Sequence, residues 1–164
     1  MRYGSARLLL LALVAFAVET TFAERITFLG GRPEFLLTLG CFAALFSARP
    51  GQGFATAWLL GLAKDCGSAL PLGLHAFLFL AIAWAIQLLR QAVFREHPLV
   101  QCGTVFFAAL ASSLVTGAFV CLFTGGVPFW TLAGKALAGA LLSAAAAPVV
   151  MWGLLKWRSY LRPA

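Results

Sequence analysis

Long apolar runs separated by short polar turns dominate this chain. The run from Leu99 to Phe123 contains no charged residue, and about twenty consecutive apolar residues suffice for a helix to cross a bilayer. A soluble domain could not shield so many apolar side chains from water. Of the 164 residues, 62% are hydrophobic and only 10% are charged, whereas roughly 25% of residues are charged in soluble proteins. We therefore predict an all-α integral membrane protein with one transmembrane domain.

The apolar runs predict a bundle of six transmembrane helices. Their approximate bounds are residues 8–23, 34–48, 53–66, 70–90, 99–123 and 129–157. The first run also fits a signal peptide, because basic residues precede it and Thr21-Phe22-Ala23 resembles a cleavage site; its removal would leave five spans. The second and third runs are short for a full crossing, and residues 49–52 between them are predicted to form a tight turn.

Basic residues are distributed unevenly between the two sides of this six-span arrangement. One side holds the two termini and two connections, with eight basic residues: Arg2, Arg7, Arg49, Arg90, Arg95, Lys156, Arg158 and Arg162. The other side holds Arg25 and Arg32, with Lys64 and Lys135 near it. Since basic residues accumulate on the cytoplasmic side, both termini are predicted to be cytoplasmic.

The ionisable residues indicate neither catalysis nor cofactor or metal binding. The net charge of +7 fits topology anchors and lipid headgroups, and no basic run or basic-aromatic interleaving indicates nucleic-acid binding. The four cysteines are scattered through apolar runs without C-x-x-C spacing, as expected of small buried side chains. Asp65 and His75 lie ten residues apart, but no nucleophile is arranged near them, so His75 is predicted to hydrogen-bond a neighbour or interfacial water.

The stretch from Gly53 to His75 is the most distinctive in the chain. Gly53, Ala57, Gly61 and Asp65 recur every fourth residue, which places them on one ridge of a helix. Small residues at this spacing allow close approach of a neighbouring helix in lipid. The ridge therefore predicts helix packing, without identifying the partner.

Charged residues inside spans are costly and are candidates for function or pairing. Glu19, Lys64, Asp65 and Lys135 fall towards the outer ends of their spans, so Asp65 could pair with Lys135, or Glu19 with Lys64. The alternatives are that they reach interfacial water or line a ligand site. Pro33 and Glu34 fit a helix start, where proline lacks an unsatisfied N–H and glutamate meets the positive end of the dipole.

Five segments give the chain a resemblance to a known family, the rod shape-determining protein MreD. The segments are Arg32–Leu37, Ala48–Gly53, Gly53-Phe54, Gly61–Asp65 and Pro71–Ala76. The interval between Phe54 and Gly61 is longer than in a tight version of the pattern, and Glu34 stands where aspartate is commoner. The structural or interaction candidates are Pro33, Glu34, Gly53, Ala57, Gly61, Lys64, Asp65, Pro71, Gly73 and His75.

The resemblance implies a non-enzymatic scaffold in the bacterial inner membrane, within the peptidoglycan-synthesising machinery that elongates rod-shaped cells. The implied partners are the membrane-anchored periplasmic protein MreC, the glycosyltransferase RodA, a class B penicillin-binding transpeptidase and, indirectly, MreB filaments; a homodimer is left open. The family is also thought to share a fold with the substrate-binding membrane subunits of energy-coupling-factor transporters. The alternative function is therefore a vitamin-type transport subunit, although the alanines of the first run lack the docking spacing that this role needs.

Overall fold

The computed structural model describes Val14, Phe16, Ala17, Glu19 and Thr21, then residues 32–47, 50–89, 97–124 and 129–160. Five continuous helices occupy these ranges: α1 Phe35–Phe46, α2 Pro50–Cys66, α3 Leu74–Leu89, α4 Pro98–Thr124 and α5 Phe129–Tyr160. The described residues from Val14 to Thr21 are also helical. The all-α class is thus confirmed for the described residues, whereas the count of six spans and the cleavage of residues 1–23 fall largely outside them.

Two helices, α4 and α5, are long and apolar enough to cross a membrane, over Leu99–Phe123 and Trp130–Leu154. The apolar helices α1 and α3 are shorter, with 12 and 16 residues. At about 1.5 Å per residue, α1 extends only about 18 Å, well short of the roughly 30 Å hydrocarbon layer. As a continuous helix α1 is therefore too short to cross alone.

Two helices begin a few residues away from the predicted bounds of the apolar runs. The tight turn expected at 49–52 is largely helix, because α2 begins at Pro50, where proline suits a first helical turn. The fourth run was expected from residue 70, but residues 67–73 form the turn and α3 begins only at Leu74. At Leu74 hydrogen bonding decides where the helix starts, because the first N–H groups of α3 find acceptors in Asp65 and Pro71.

Helix α1 is the centre of the bundle. It contacts each of the other four helices, while α2 packs mainly against α3 and α4 against α5. Its Leu36, Leu37 and Cys41 are each 1% exposed, and Phe79 of α3 and Met151 of α5 are buried with them. The core therefore lies around the shortest helix, with the longest pair on one side.

The small-residue ridge of α2 faces the inside of the bundle. A Cβ atom at Gly61 would lie 2.5 Å from the Cα of Ala76 and 2.6 Å from the carbonyl oxygen of His75. A Cβ at Gly53 would lie 3.3 Å from the carbonyl oxygen of Ala43, and Ala57 is buried between these positions. The ridge thus brings α2 against α3 and α1, so it is not available to another protein.

Large apolar side chains cover the outside of α3. Phe77 is 72% exposed and Trp84 is 59% exposed, as expected of side chains that face lipid. Between α2 and α3 they border an open groove, named here the α2–α3 groove, whose lining is Phe54, Phe77, Leu80, Ala81 and Trp84.

We predict that Gly61→Ala lowers the stability of the protein by about 1–3 kcal/mol, as overpacking does. The added methyl group meets the backbone of α3, which cannot move aside as a flexible side chain can. Gly134→Ala is the matched control, because open space surrounds that position. The apparent melting temperature in detergent measures both; equal values for the two variants would contradict the close approach at Gly61.

Candidate functional site

A cluster of three charged side chains lies where α1 begins and α2 ends. The Lys64 Nζ donates to Glu34 Oε2 at 2.8 Å and lies 3.8 Å from Glu19 Oε1. The side chains of Lys64 and Glu19 are only 16% and 17% exposed. The predicted pairing of Glu19 with Lys64 is confirmed, and Glu34 is the closer partner.

Glu34 connects α1 to three other parts of the protein. Besides Lys64 of α2, its Oε1 accepts a hydrogen bond from Ser113 Oγ of α4 at 3.0 Å. Its backbone N–H donates to Ser143 Oγ of α5 at 2.8 Å, while that hydroxyl donates to the Gly139 carbonyl. One residue thus joins the start of α1 to α2, α4 and α5.

Glu34 was predicted to lie in the first turn of α1 but lies one position before it, and another carboxylate makes the hydrogen bond at the start of this helix. Glu34 is the N-cap residue, but its side chain makes no capping hydrogen bond. Glu19 does so instead, because its Oε2 accepts the N–H of Leu36 at 2.7 Å. A carboxylate from an earlier helical segment therefore satisfies an N–H group that α1 itself leaves unpaired.

Asp65 is the N-terminal cap of α3. Its two carboxylate oxygens accept the backbone N–H groups of Gly73, His75 and Ala76 at 2.9, 3.0 and 3.1 Å. The His75 Nδ1 lies 2.8 Å from Asp65 Oδ1, so the predicted pairing of Asp65 with Lys135 is wrong. Asp65 is 2% exposed and His75 is 4% exposed, and these hydrogen bonds offset the cost of burying the carboxylate in an apolar bundle.

The turn between α2 and α3 is shaped to reach Asp65. Gly73 has a φ of +103°, a conformation that glycine adopts without strain. The Leu74 N–H donates to the Pro71 carbonyl at 3.3 Å, so the N–H groups from Gly73 to Ala76 all have acceptors. Pro71 and Gly73 thus contribute backbone geometry rather than chemistry.

A cavity of about 440 Å³ opens beside the charged cluster. Its charged lining consists of Glu19, Arg32, Glu34, Lys64 and Lys135, and His75 also borders it. Apolar side chains of four segments form much of the remaining wall, among them Phe16, Leu36, Val120 and Leu132. The cavity lies towards the end of the bundle where α1 and α5 begin and where α2 and α4 end.

The structure brings most of the predicted site residues into two neighbouring groups. Glu34 and Lys64 belong to the charged cluster, with Pro33 buried in the cavity wall beside them. Gly61, Asp65, Gly73 and His75 form the α2–α3 corner with Pro71. Gly53 and Ala57 lie further along α2, inside the bundle. Sequence reasoning missed Ser113 and Ser143, since single serines in apolar helices carry no signal of distant partners.

The donor set of the site does not assemble a metal centre. Within the described ranges no group of three or more His, Cys, Asp and Glu side chains could hold a metal ion. All four cysteines are free, and Cys41 is buried in the core.

One comparison with known proteins gives a match. The family described as rod shape-determining protein MreD matches residues 3–156. No curated protein and no solved structure matches the chain.

We predict that Asp65→Ala destabilises the protein by roughly 2–4 kcal/mol, because several N–H groups in a buried turn lose their acceptor. Asp65→Asn keeps one acceptor oxygen and is expected to lie between the wild type and Asp65→Ala. Ser68→Ala in the same turn loses only a hydrogen bond to the Asp65 carbonyl and is the control. Thermal unfolding in detergent ranks the variants; an Asp65→Ala protein as stable as Ser68→Ala would contradict the capping role.

We also predict that Lys64→Met costs about 1–3 kcal/mol, because two partly buried carboxylates are left facing each other without their cation. Adding Glu19→Gln to Lys64→Met is expected to recover part of the loss, since one of the two carboxylates is removed. A double-mutant cycle on Lys64 and Glu19 measures the coupling. Strictly additive losses would show that the two side chains do not interact.

Proposed function

The chain belongs to the MreD family of bacterial inner-membrane, rod shape-determining proteins, and from that membership we propose that it is a non-enzymatic scaffold of the elongation machinery that binds an MreC-like partner. The match over residues 3–156 carries the proposal, because it includes nearly the whole bundle. RodA, a class B penicillin-binding transpeptidase and, indirectly, MreB filaments complete the proposed assembly around peptidoglycan synthesis.

The chemistry of the described residues fits binding better than catalysis. The carboxylates of the described residues are used to hold the bundle: Asp65 caps α3, and Glu19 and Glu34 neutralise Lys64. The family is a structural one in cell-shape determination. A scaffold needs a rigid surface, and these contacts supply it.

We propose the α2–α3 groove as the surface where a membrane helix of the partner docks. The lining exposes no polar atom, as expected for a contact made within the bilayer. Phe77 and Trp84 are large, exposed aromatic side chains, the type that most often anchors an interface. Beneath them, the backbone contact of Gly61 with Ala76 fixes the spacing of α2 and α3, so the groove is preformed.

A second function is favoured by the cavity beside the charged cluster. Its volume of about 440 Å³ lies in the range of small-molecule sites, and its polar lining is what a vitamin-type transport subunit would need. Cell shape and vitamin uptake therefore have to be measured in the same experiment.

We predict that cells of a rod-shaped host depleted of this protein become round, and that the wild-type gene restores rods while Ala81→Trp does not. Tryptophan at Ala81 would fill the α2–α3 groove. Ala145→Trp is the matched control, because Ala145 is an exposed alanine of α5 outside the groove. Co-purification with the MreC-like partner is expected to fall at least tenfold for Ala81→Trp alone.

The outcomes separate the alternatives. Equal recovery of the partner with both tryptophan variants would move the docking surface away from the groove, leaving the scaffold role intact. Depleted cells that keep their rod shape but lose vitamin uptake would overturn the scaffold role itself.

A further inference from the structure

Among the charged groups of the described residues that line the cavity, the hydrogen-bond acceptors are already engaged, whereas one donor is free. Each oxygen of its two carboxylates has a donor or cation: Glu19 faces the Leu36 N–H and Lys64, and Glu34 faces Lys64 and Ser113. Lys64 is in turn satisfied by these carboxylates. The carboxylate oxygens are thus engaged within the cluster and are not available to a ligand.

Lys135 of α5 is the exception. It lines the cavity and is exposed, and within the described part of the chain it makes no hydrogen bond or ion pair. The charged lining holds three basic side chains, Arg32, Lys64 and Lys135, against the carboxylates of Glu19 and Glu34. The surplus charge is therefore positive, and Lys135 carries it.

The apolar side chains of the cavity wall, and the depth of the cavity in the membrane, further restrict the class of ligand that could bind. Val120 and Leu132 lie four residues before the end of α4 and three residues after the start of α5, within about 6 Å of those helix ends at 1.5 Å per residue. Lys135 lies five residues inside the apolar span that starts at Trp130, a depth from which a lysine side chain reaches headgroup level. A ligand here meets a cation and apolar side chains together.

We propose that this cavity binds one anionic phospholipid, with the headgroup phosphate paired to Lys135 and the start of an acyl chain against Val120 and Leu132. Zwitterionic lipids also carry a phosphate, but their ammonium group would find no free carboxylate, because both are already engaged. A free inorganic anion would leave the apolar wall unused. This site is separate from the α2–α3 groove and does not depend on the proposed partner.

The test uses the full-length protein purified in detergent and titrated with dioleoyl phosphatidylglycerol, followed by native mass spectrometry. The wild type is expected to bind the first phosphatidylglycerol about tenfold more tightly than phosphatidylethanolamine with the same chains, and Lys135→Gln is expected to remove this preference. Lys156→Gln is the control, because Lys156 lies at the other end of α5, 5.0 Å from the Trp152 ring centroid. It is expected to keep the preference.

A second pair of variants tests the cavity rather than the charge. Val120→Trp would fill the cavity and is expected to lose the tight phosphatidylglycerol. Val115→Trp is the matched control, since Val115 is 48% exposed on α4 and does not line the cavity. Melting temperatures without added lipid identify any tryptophan variant that fails to fold. In that case the comparison of Lys135→Gln with Lys156→Gln decides the result.

Three results would overturn the proposal. Unchanged phosphatidylglycerol binding by Lys135→Gln would show that this lysine does not hold the lipid. Complete displacement of the first phosphatidylglycerol by millimolar inorganic phosphate would assign the site to a free anion. If Lys135→Gln lowers the recovery of the protein partner but leaves the lipid affinity unchanged, the site would be assigned to an acidic segment of that partner.

Discussion

The Asp65 carboxylate is the interaction on which the corner between α2 and α3 depends. In an apolar bundle every backbone polar group needs an internal partner, and the first N–H groups of a helix have none within it. Asp65 accepts those of Gly73, His75 and Ala76, which holds the start of α3 against the end of α2. One turn before Asp65, the backbone of α2 approaches that of α3 at Gly61, where a Cβ atom would not fit. A local hydrogen-bonding requirement thus sets the packing of two helices.

The same corner determines where Lys64 points. Successive residues of a helix are turned by about 100°, so with Asp65 directed at α3, Lys64 is directed at Glu34 of α1. The resulting cluster does not need to add net stability, because desolvation of buried ions can equal their attraction. Its clearer effect is geometric, since Glu34 and Glu19 hold the start of α1 relative to α2, α4 and α5.

Sequence patterns predicted the features that depend on local spacing. The apolar runs gave the helical class, the four-residue repeat on α2 marked a surface of close packing, and Glu19 with Lys64 was one of the two pairs considered. Two kinds of feature were not predictable. The start of α3 at Leu74 depends on which acceptors reach its first N–H groups. The partners of Glu34 lie 79 and 109 residues away, and hydropathy carries no information about such distant contacts.

The groove and the cavity share α2 but have little means of influencing each other. Phe54 lines the groove and Lys64 lines the cavity, about 15 Å apart along the helix at 1.5 Å per residue. Coupling between two sites requires an element with two discrete arrangements. Between these sites α2 is held against α3 by backbone atoms at Gly61. Directly after Lys64 the hydrogen bonds of Asp65 hold the same two helices, and a second arrangement would leave N–H groups of α3 unpaired. A partner helix in the groove and a ligand in the cavity should therefore bind independently, with free energies that add.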